Sequence, residues 1–251
     1  MNSLAVSLIV CAVIYSGVLL GILLRNILPK GHLADDAKDV IRLGTALIST
    51  TAALVLGLLI ASANNAFETQ SGQVKRVTAD FILLDRLLEQ YGAETRPARD
   101  HLRRTIAPLV ERIWRENSAG AVMKAPFQET AEGDAALAEI LGLPAQSELQ
   151  RALKARAIDT LSDMARTRLL LFEQADGAIP LPFLAVLVFW LALIFASISL
   201  FARLNATLLA ALLVFALSAS GAIFLILELS QPFAGLMQIS SEPLRHALAP
   251  L

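Results

Sequence analysis

Four long apolar runs, two before and two after a polar middle of about 118 residues, constrain this chain more than any other feature. The runs extend over residues 3–24, 40–63, 181–204 and 206–229. At about 1.5 Å of rise per residue, each run is long enough for a helix to cross a hydrocarbon core of about 30 Å. The sequence therefore predicts an all-α, polytopic membrane protein whose main partner is the lipid bilayer.

The connections between the runs predict the domain organisation. Short connections join the runs of each pair, so residues 1–63 and residues 181–230 are each expected to form a tight transmembrane hairpin. Pro29 and Gly31 end the first helix, and Asn205 is a candidate N-cap of the fourth. Residues 64–180 are expected to form a soluble helical bundle inserted between helices two and three, and residues 231–251 a short amphipathic tail.

Charge is concentrated in the middle of the chain. Of 21 Lys and Arg residues 15 lie between Ala63 and Pro180, and so do 17 of 22 Asp and Glu residues. The signs are interspersed and nearly balanced, whereas a nucleic-acid surface shows a basic excess, so no nucleic-acid partner is expected. The basic residues that flank the four runs are equally frequent on both sides of the membrane, so they do not fix the orientation.

Helical periodicity continues beyond the second apolar run. Apolar residues alternate at spacings of three and four in the order Val74, Val77, Phe81, Leu84, Leu88 and Tyr91. This period of 3.5 predicts a stripe that is buried against other helices, and no proline interrupts the chain from Val40 to Tyr91. Helix two is therefore expected to continue as one long rod that ends at Gly92. Ser147 and Gln150 form a capping-box pattern that begins another long helix.

The residues that usually carry chemistry are sparse. Cys11 is the single cysteine and lies inside the first apolar run, and the three histidines, His32, His101 and His246, are far apart in the sequence. This spacing predicts no metal site and no cofactor. No glycine-rich phosphate loop and no nucleophile elbow occurs, so enzymatic activity is not expected.

Helix two combines small and hydroxyl residues with a complete lack of charge at mid-depth. Thr45, Ser49, Thr50 and Thr51 offer hydroxyl groups. Two interpretations are open: the small residues permit close helix packing, or part of this surface lines a water-filled pathway. A proton relay or a strong cation site would normally include a membrane acid, so its absence favours anions or no transport at all.

Polar residues at two helix ends suggest a pathway mouth. Glu228 is in the last turn of helix four, where low dielectric and the negative end of the helix dipole both disfavour a carboxylate. It either extends to the headgroup region, or it pairs with a basic residue or gates a pathway near a mouth formed by helices two and four. Asn64, at the end of helix two, could line the same mouth.

Three stretches of the chain resemble the bacterial bestrophin-like domain family of membrane proteins. They are residues 32–39, which read HLADDAKD, residues 52–62, which read AALVLGLLIAS, and residues 227–233, which read LELSQPF. The resemblance covers nearly the whole chain, including Leu84-Asp85-Arg86. Where relatives typically read Asp-Arg-Pro-Phe, this chain reads Ser230-Gln231-Pro232-Phe233, so the acidic and basic pair is absent here.

The resemblance has specific implications because bestrophins are pentameric anion channels. In them each subunit has four transmembrane helices, a helical cytosolic domain between helices two and three, and a pore lined by helix two. It implies a homo-oligomer, a pentamer, in a bacterial plasma membrane, with a cytoplasmic middle domain and chloride or other small anions as partners. The implied pore-lining residues are Thr45, Ser49, Ala53, Leu56 and Ile60.

Two other functions fit the same membrane plan. Stator units of proton-driven motors also have four helices and a large insert between the second and third, although their sequence pattern is not found here. A non-conducting scaffold or sensor, in which the long rod transmits a state between the helical bundle and the bilayer, is the other alternative.

Overall fold

The computed structural model describes residues 3–29, 35–118, 131–173, 181–202 and 205–247. Regular structure in these residues is helical, with no strand. The eight helices are α1 Ser3–Ile27, α2 Asp35–Tyr91, α3 Arg96–Ser118, α4 Ala131–Gly142, α5 Glu148–Glu173, α6 Leu181–Phe201, α7 Ala206–Leu229 and α8 Glu242–Arg245, with a 3₁₀ turn at Ala93–Thr95. Gly31 and His32, which the sequence analysis singled out, lie outside the described residues.

The chain divides into two compact units. The membrane unit consists of Met1–Ala66 and Ile179–Ser230, and the polar unit consists of Phe67–Ala178 and Gln231–Leu251. Among the described residues, α1, α2, α6 and α7 are long and apolar enough to cross a membrane. The sequence predicted four such helices; the bounds of α1, α6 and α7 differ from the apolar runs by a few residues at the ends, whereas α2 extends well beyond its run.

The tightest helix contact in the membrane unit joins α1 to α6. A Cβ atom on Gly17 would overlap the backbone carbonyl of Ala192, and one on Gly21 would overlap the Ser199 hydroxyl and the Ala196 carbonyl. The buried Ser199 hydroxyl also reaches the carbonyl of Val18 in α1, at 3.0 Å. Glycines four residues apart thus allow the two backbones to touch, which is how helices associate where lipid provides no hydrophobic drive.

Two polar contacts complete the ends of α6 and α7. The Arg25 guanidinium donates to the Ala202 carbonyl at 2.6 Å, which satisfies an acceptor at the end of α6. The Asn205 side chain accepts from the backbone N–H of Leu208 at 2.8 Å, so the predicted N-cap of α7 is confirmed.

Helix α2 is 57 residues long and contributes to both units, which confirms the predicted rod. It ends where Gly92 adopts a φ of 138°, a backbone conformation that favours glycine. The Thr95 hydroxyl lies 2.6 Å from the carbonyl of Leu88 in the last turn. All six residues of the predicted seam from Val74 to Tyr91 are buried at 5% exposure or less, so the predicted burial of this stripe is also confirmed.

The polar unit packs α3, α4, α5 and the second half of α2 around this seam. Arg99 in α3 forms a bidentate ion pair with Asp85 in α2, with N–O distances of 2.7 and 2.8 Å. This carboxylate raises the pKa of Arg99. The predicted cap of α5 is present, because the Ser147 hydroxyl accepts from the Gln150 backbone N–H at 3.1 Å.

The residues after α7 fold against α3. The Trp114 and Phe233 rings meet edge to face with centroids 5.3 Å apart, and the Trp114 indole N–H donates to the Ile239 carbonyl at 2.7 Å. A φ of 90° at Gly235, a backbone conformation that favours glycine, turns the chain between α7 and α8. Leu244 of α8 is 1% exposed, so the tail is anchored in the core of the polar unit.

Candidate functional site

The membrane half of α2, from Val40 to Ala63, has two different faces. One face packs inside the membrane unit: Ala52 and Ala63 are 3% and 4% exposed, and Leu56 and Leu59 contact the core formed with α1, α6 and α7. The opposite face is open to the surroundings. Any interaction that α2 makes in the bilayer beyond its own subunit must use this open face.

The structure distributes the five predicted pore residues over both faces. Thr45 and Ser49 are half-buried and line a groove of about 420 Å³ between α2 and α6. Leu56 and Ile60 are half-buried as well, whereas Ala53 is exposed on the open face. At about 100° per residue, the five positions lie within an arc of about 80°, from Thr45 on the packed side of the helix to Ala53 at the edge of the open face.

The open face has a distinctive composition. Leu43, Leu47, Leu54 and Leu58 are each exposed by 70% or more, and they recur at spacings of four and seven. Between and beside them are Gly44, Gly57, Thr50, Thr51, Ser62, Asn64 and Asn65. A Cβ atom on Gly44 or Gly57 would meet no heavy atom within 4 Å other than those of its chain neighbours and its own helix backbone. In α6, by contrast, the exposed residues are all apolar, chiefly Phe183, Val186, Phe189 and Leu193.

Three hydroxyl groups in the membrane half of α2 are engaged with their own helix. Ser49 donates to the carbonyl of Thr45 at 2.7 Å, Thr50 to that of Ala46 at 3.0 Å, and Thr51 to that of Leu47 at 3.0 Å. A hydroxyl has one proton to donate, so each must rotate away from its carbonyl before it can donate to an anion.

Charges lie only at the two ends of this segment. Residues 43–67 contain no Asp, Glu, Lys or Arg. Arg42 precedes them, is exposed, and forms no ion pair with any residue in the described part of the chain. Glu68 follows them. Because this stretch is uncharged, α2 has no fixed charge at mid-depth. Arg42 provides a positive charge at one end of it.

The two predicted mouth residues differ in exposure. Asn64 is exposed near the end of the membrane half of α2, while Glu228 is only 3% exposed in the last turn of α7. Both take part in polar interactions. Glu228 is thus covered by protein within the membrane unit, where a carboxylate needs such interactions to offset its lost hydration.

Sequence reasoning missed the most closely fitted residues of the membrane unit. Gly17 and Gly21 form a G-x-x-x-G pattern in an apolar helix, which is a known signal of close packing. Close packing was predicted only for the small residues of helix two. Among the described residues, no group of three or more His, Cys, Asp or Glu side chains could hold a metal ion.

Comparisons with known proteins place the chain in a family. No curated protein and no solved structure matches it. A family model for the Bestrophin-like domain matches residues 12–244, which includes α2, α6, α7, most of α1 and nearly all of the polar unit. This match confirms the resemblance that the sequence motifs indicated. The chain is therefore a membrane protein that belongs to the Bestrophin-like domain family.

Proposed function

We propose that this protein is a subunit of an oligomeric anion channel in a bacterial plasma membrane, with α2 lining the pore. The proposal rests on one observation above all: the open face of α2 mixes leucines with glycines, hydroxyls and amides, whereas the exposed face of α6 is wholly apolar. A surface that faces only lipid needs no such polar groups.

The family supports the same proposal. Bestrophin-like membership implies an assembly like that of bestrophins, in which helix two of each copy surrounds a central pathway. In this arrangement two hairpins cross the bilayer, the polar unit faces the cytoplasm, and five copies form a ring. Ala53, on the open face, would border the pathway directly, while Thr45, Ser49, Leu56 and Ile60 would lie at its edge or support it from behind.

In this pore, a positive electric field would favour anions, and narrow apolar sections would control their passage. Arg42 at one end raises the local concentration of chloride or other small anions, because a cation beside a low-dielectric wall attracts them. Rings of exposed leucines, such as those formed by Leu54 and Leu58, provide apolar constrictions that open and close by wetting. Thr50 and Thr51 can donate to a passing anion after rotating away from their carbonyls. Such a protein transports ions and performs no covalent chemistry.

A direct test is chloride efflux from liposomes that contain the purified protein. Replacing Ala53 with Phe fills the proposed pathway, and we expect efflux to fall by at least about tenfold. Ala12, exposed on α1, provides a matched control, because Ala12→Phe adds the same ring to a face that borders lipid in this proposal. Both variants must keep the elution volume of the wild-type assembly in size-exclusion chromatography.

The outcomes separate two functions. Efflux that Ala53→Phe removes and Ala12→Phe preserves supports a pore along α2. Equal efflux from both variants would overturn the assignment of α2 as the helix that lines the pore. No efflux from an intact oligomer, over a range of pH, voltage and calcium concentration, would instead favour a non-conducting scaffold, a function that agrees with the engaged hydroxyls of Ser49, Thr50 and Thr51.

A further inference from the structure

A cavity of about 370 Å³ lies inside the polar unit, between α3, α4, α5 and the second half of α2. We propose that this cavity binds a small amphiphilic anion, a molecule with a compact apolar body and one carboxylate, sulfonate or phosphate group. The binding site is independent of conduction, because every residue that lines it belongs to the polar unit.

The inner wall of the cavity is apolar and fully buried. Phe81 of α2 is 0% exposed, and Leu102 of α3 and Met164 of α5 are each 3% exposed. The volume falls in the range of about 300–1,000 Å³ that is typical of small-molecule sites. These walls would take up the apolar body of a ligand and remove its surface from water.

The cavity is accessible from solvent because its rim is exposed. Asp134 and Leu137 of α4 and Ser162 of α5 line the rim and are all exposed. The space exists because Ala136 and Ala165, which face it from α4 and α5, are too small to fill it. The cavity therefore opens at the surface of the polar unit.

Arg168 gives the cavity its preference for an anion. It is the basic residue of the lining and is only 9% exposed. A guanidinium carries five N–H donors in a planar fork that matches the oxygens of carboxylate, sulfonate and phosphate groups. Because low dielectric strengthens its field, a negatively charged group in the cavity gains more from it than from an arginine at the surface.

The other polar side chains of the lining offer little to a cation. Asp134 lies on the exposed rim, where water screens its charge. The hydroxyl of Thr105 donates to the His101 carbonyl at 3.0 Å, and that of Ser162 donates to the Ile158 carbonyl at 3.0 Å. Arg168 is thus the charged group that an occupant meets in the interior of the cavity.

Binding can be measured with a probe of the proposed chemistry. We suggest isothermal titration of the full-length protein in lipid nanodiscs with 1-naphthalenesulfonate, with empty nanodiscs as the blank. The wild type is expected to show saturable binding to one site per chain. Ala165→Phe should weaken it by at least about tenfold by filling the cavity, whereas Ala155→Phe, on an exposed position of the same helix, should change it by less than about twofold.

A second ligand tests the charge requirement without any variant of Arg168. The uncharged 1-naphthalenemethanol should bind the wild type at least about tenfold more weakly than the sulfonate. Equal affinity for both ligands would overturn the preference for an anion. Saturable binding that Ala165→Phe leaves unchanged, or no binding up to about 1 mM, would overturn the site itself. None of these results depends on chloride efflux, so the binding experiment tests the proposed site independently of the proposed channel.

Discussion

Between Val74 and Tyr91, helix α2 keeps every residue of its apolar seam at 5% exposure or less, whereas Leu43, Leu47, Leu54 and Leu58 of the same helix are exposed by 70% or more. Both stripes consist of large, mostly aliphatic side chains on one continuous helix. Their surroundings differ. In water, each Å² of apolar surface removed from solvent contributes about 25 cal/mol, so the seam must be covered.

Lipid imposes no such requirement, because hydrocarbon chains solvate a leucine as well as another leucine does. Helices in the bilayer associate where backbones fit closely, as α1 and α6 do at Gly17 and Gly21. A continuous apolar stripe on α2 is therefore covered in the polar unit but left open in the membrane unit. What distinguishes one surface of the membrane unit from another is the presence of glycines, hydroxyls and amides.

We expect the largest difference in stability between two alanine variants, one at an apolar residue in each half of α2. Phe81→Ala should destabilise the polar unit by about 3–5 kcal/mol, since it removes a fully buried ring from the core. Leu54→Ala should cost less than about 0.5 kcal/mol, because this side chain is 70% exposed and alanine is an equally good helix former. Thermal unfolding followed by intrinsic fluorescence would measure both, with Trp114 reporting on the polar unit.

A large cost of Leu54→Ala in the assembled protein would break the comparison. It would mean that the open face of α2 is packed against another chain, and the same variant should then alter the elution volume in size-exclusion chromatography.

The second prediction compares one substitution at two glycines of the membrane unit. Gly21→Ala should destabilise the unit by about 2 kcal/mol, because the added methyl group overlaps Ser199 and the backbone of α6. Gly57→Ala should be neutral or stabilising by up to about 1 kcal/mol, because the new methyl group meets no atom within 4 Å beyond its chain neighbours and its own helix backbone, and alanine favours the helix. Midpoints of thermal unfolding in the same detergent would show shifts of opposite sign.

Loss of stability at both positions would contradict this account. In that case the open face of α2 would be as closely packed as α1, and the contact would have to come from another copy of the chain.

These two halves also explain how much the sequence could predict. The seam of α2, its end at Gly92 and the caps at Ser147 and Asn205 were all predictable, because water enforces a period on buried residues and local hydrogen bonds determine helix ends. The orientation of α2 around its axis in the membrane was not, because apolar residues occur on all sides of that helix and no period marks its buried side.

The candidate pore residues illustrate this limit. Ala53 lies on the open face, but Thr45 and Ser49 line a groove against α6 and Leu56 contacts the core. Their pore-lining role stays a prediction. The Gly17 and Gly21 contact could have been found from its G-x-x-x-G spacing, although the sequence would not have identified α6 as the partner.

The smallest expected effect depends on pH and concerns Asp80, a polar residue beside the buried seam of α2. Its Oδ2 atom is buried and accepts no hydrogen bond from the residues that the structure describes. Burial raises the pKa of this carboxyl above its ordinary value of 3.8; Arg76 opposes the rise and Asp163 adds to it. The folded state therefore binds the proton more tightly than the unfolded state does, and stability decreases as pH rises from 3.8 toward the folded pKa.

Asp80→Asn removes the cost of an ionised carboxylate in this position while keeping its size. At neutral pH we expect the variant to unfold at a temperature higher by on the order of 1–3 °C, and we expect the difference to disappear below pH 3.8, where the wild-type carboxyl is protonated in both states. Asp159→Asn, on an exposed position of α5, should change stability by no more than about 0.5 kcal/mol. A lower midpoint for Asp80→Asn at neutral pH would show that the ionised carboxylate stabilises the polar unit, and that Arg76 outweighs burial there.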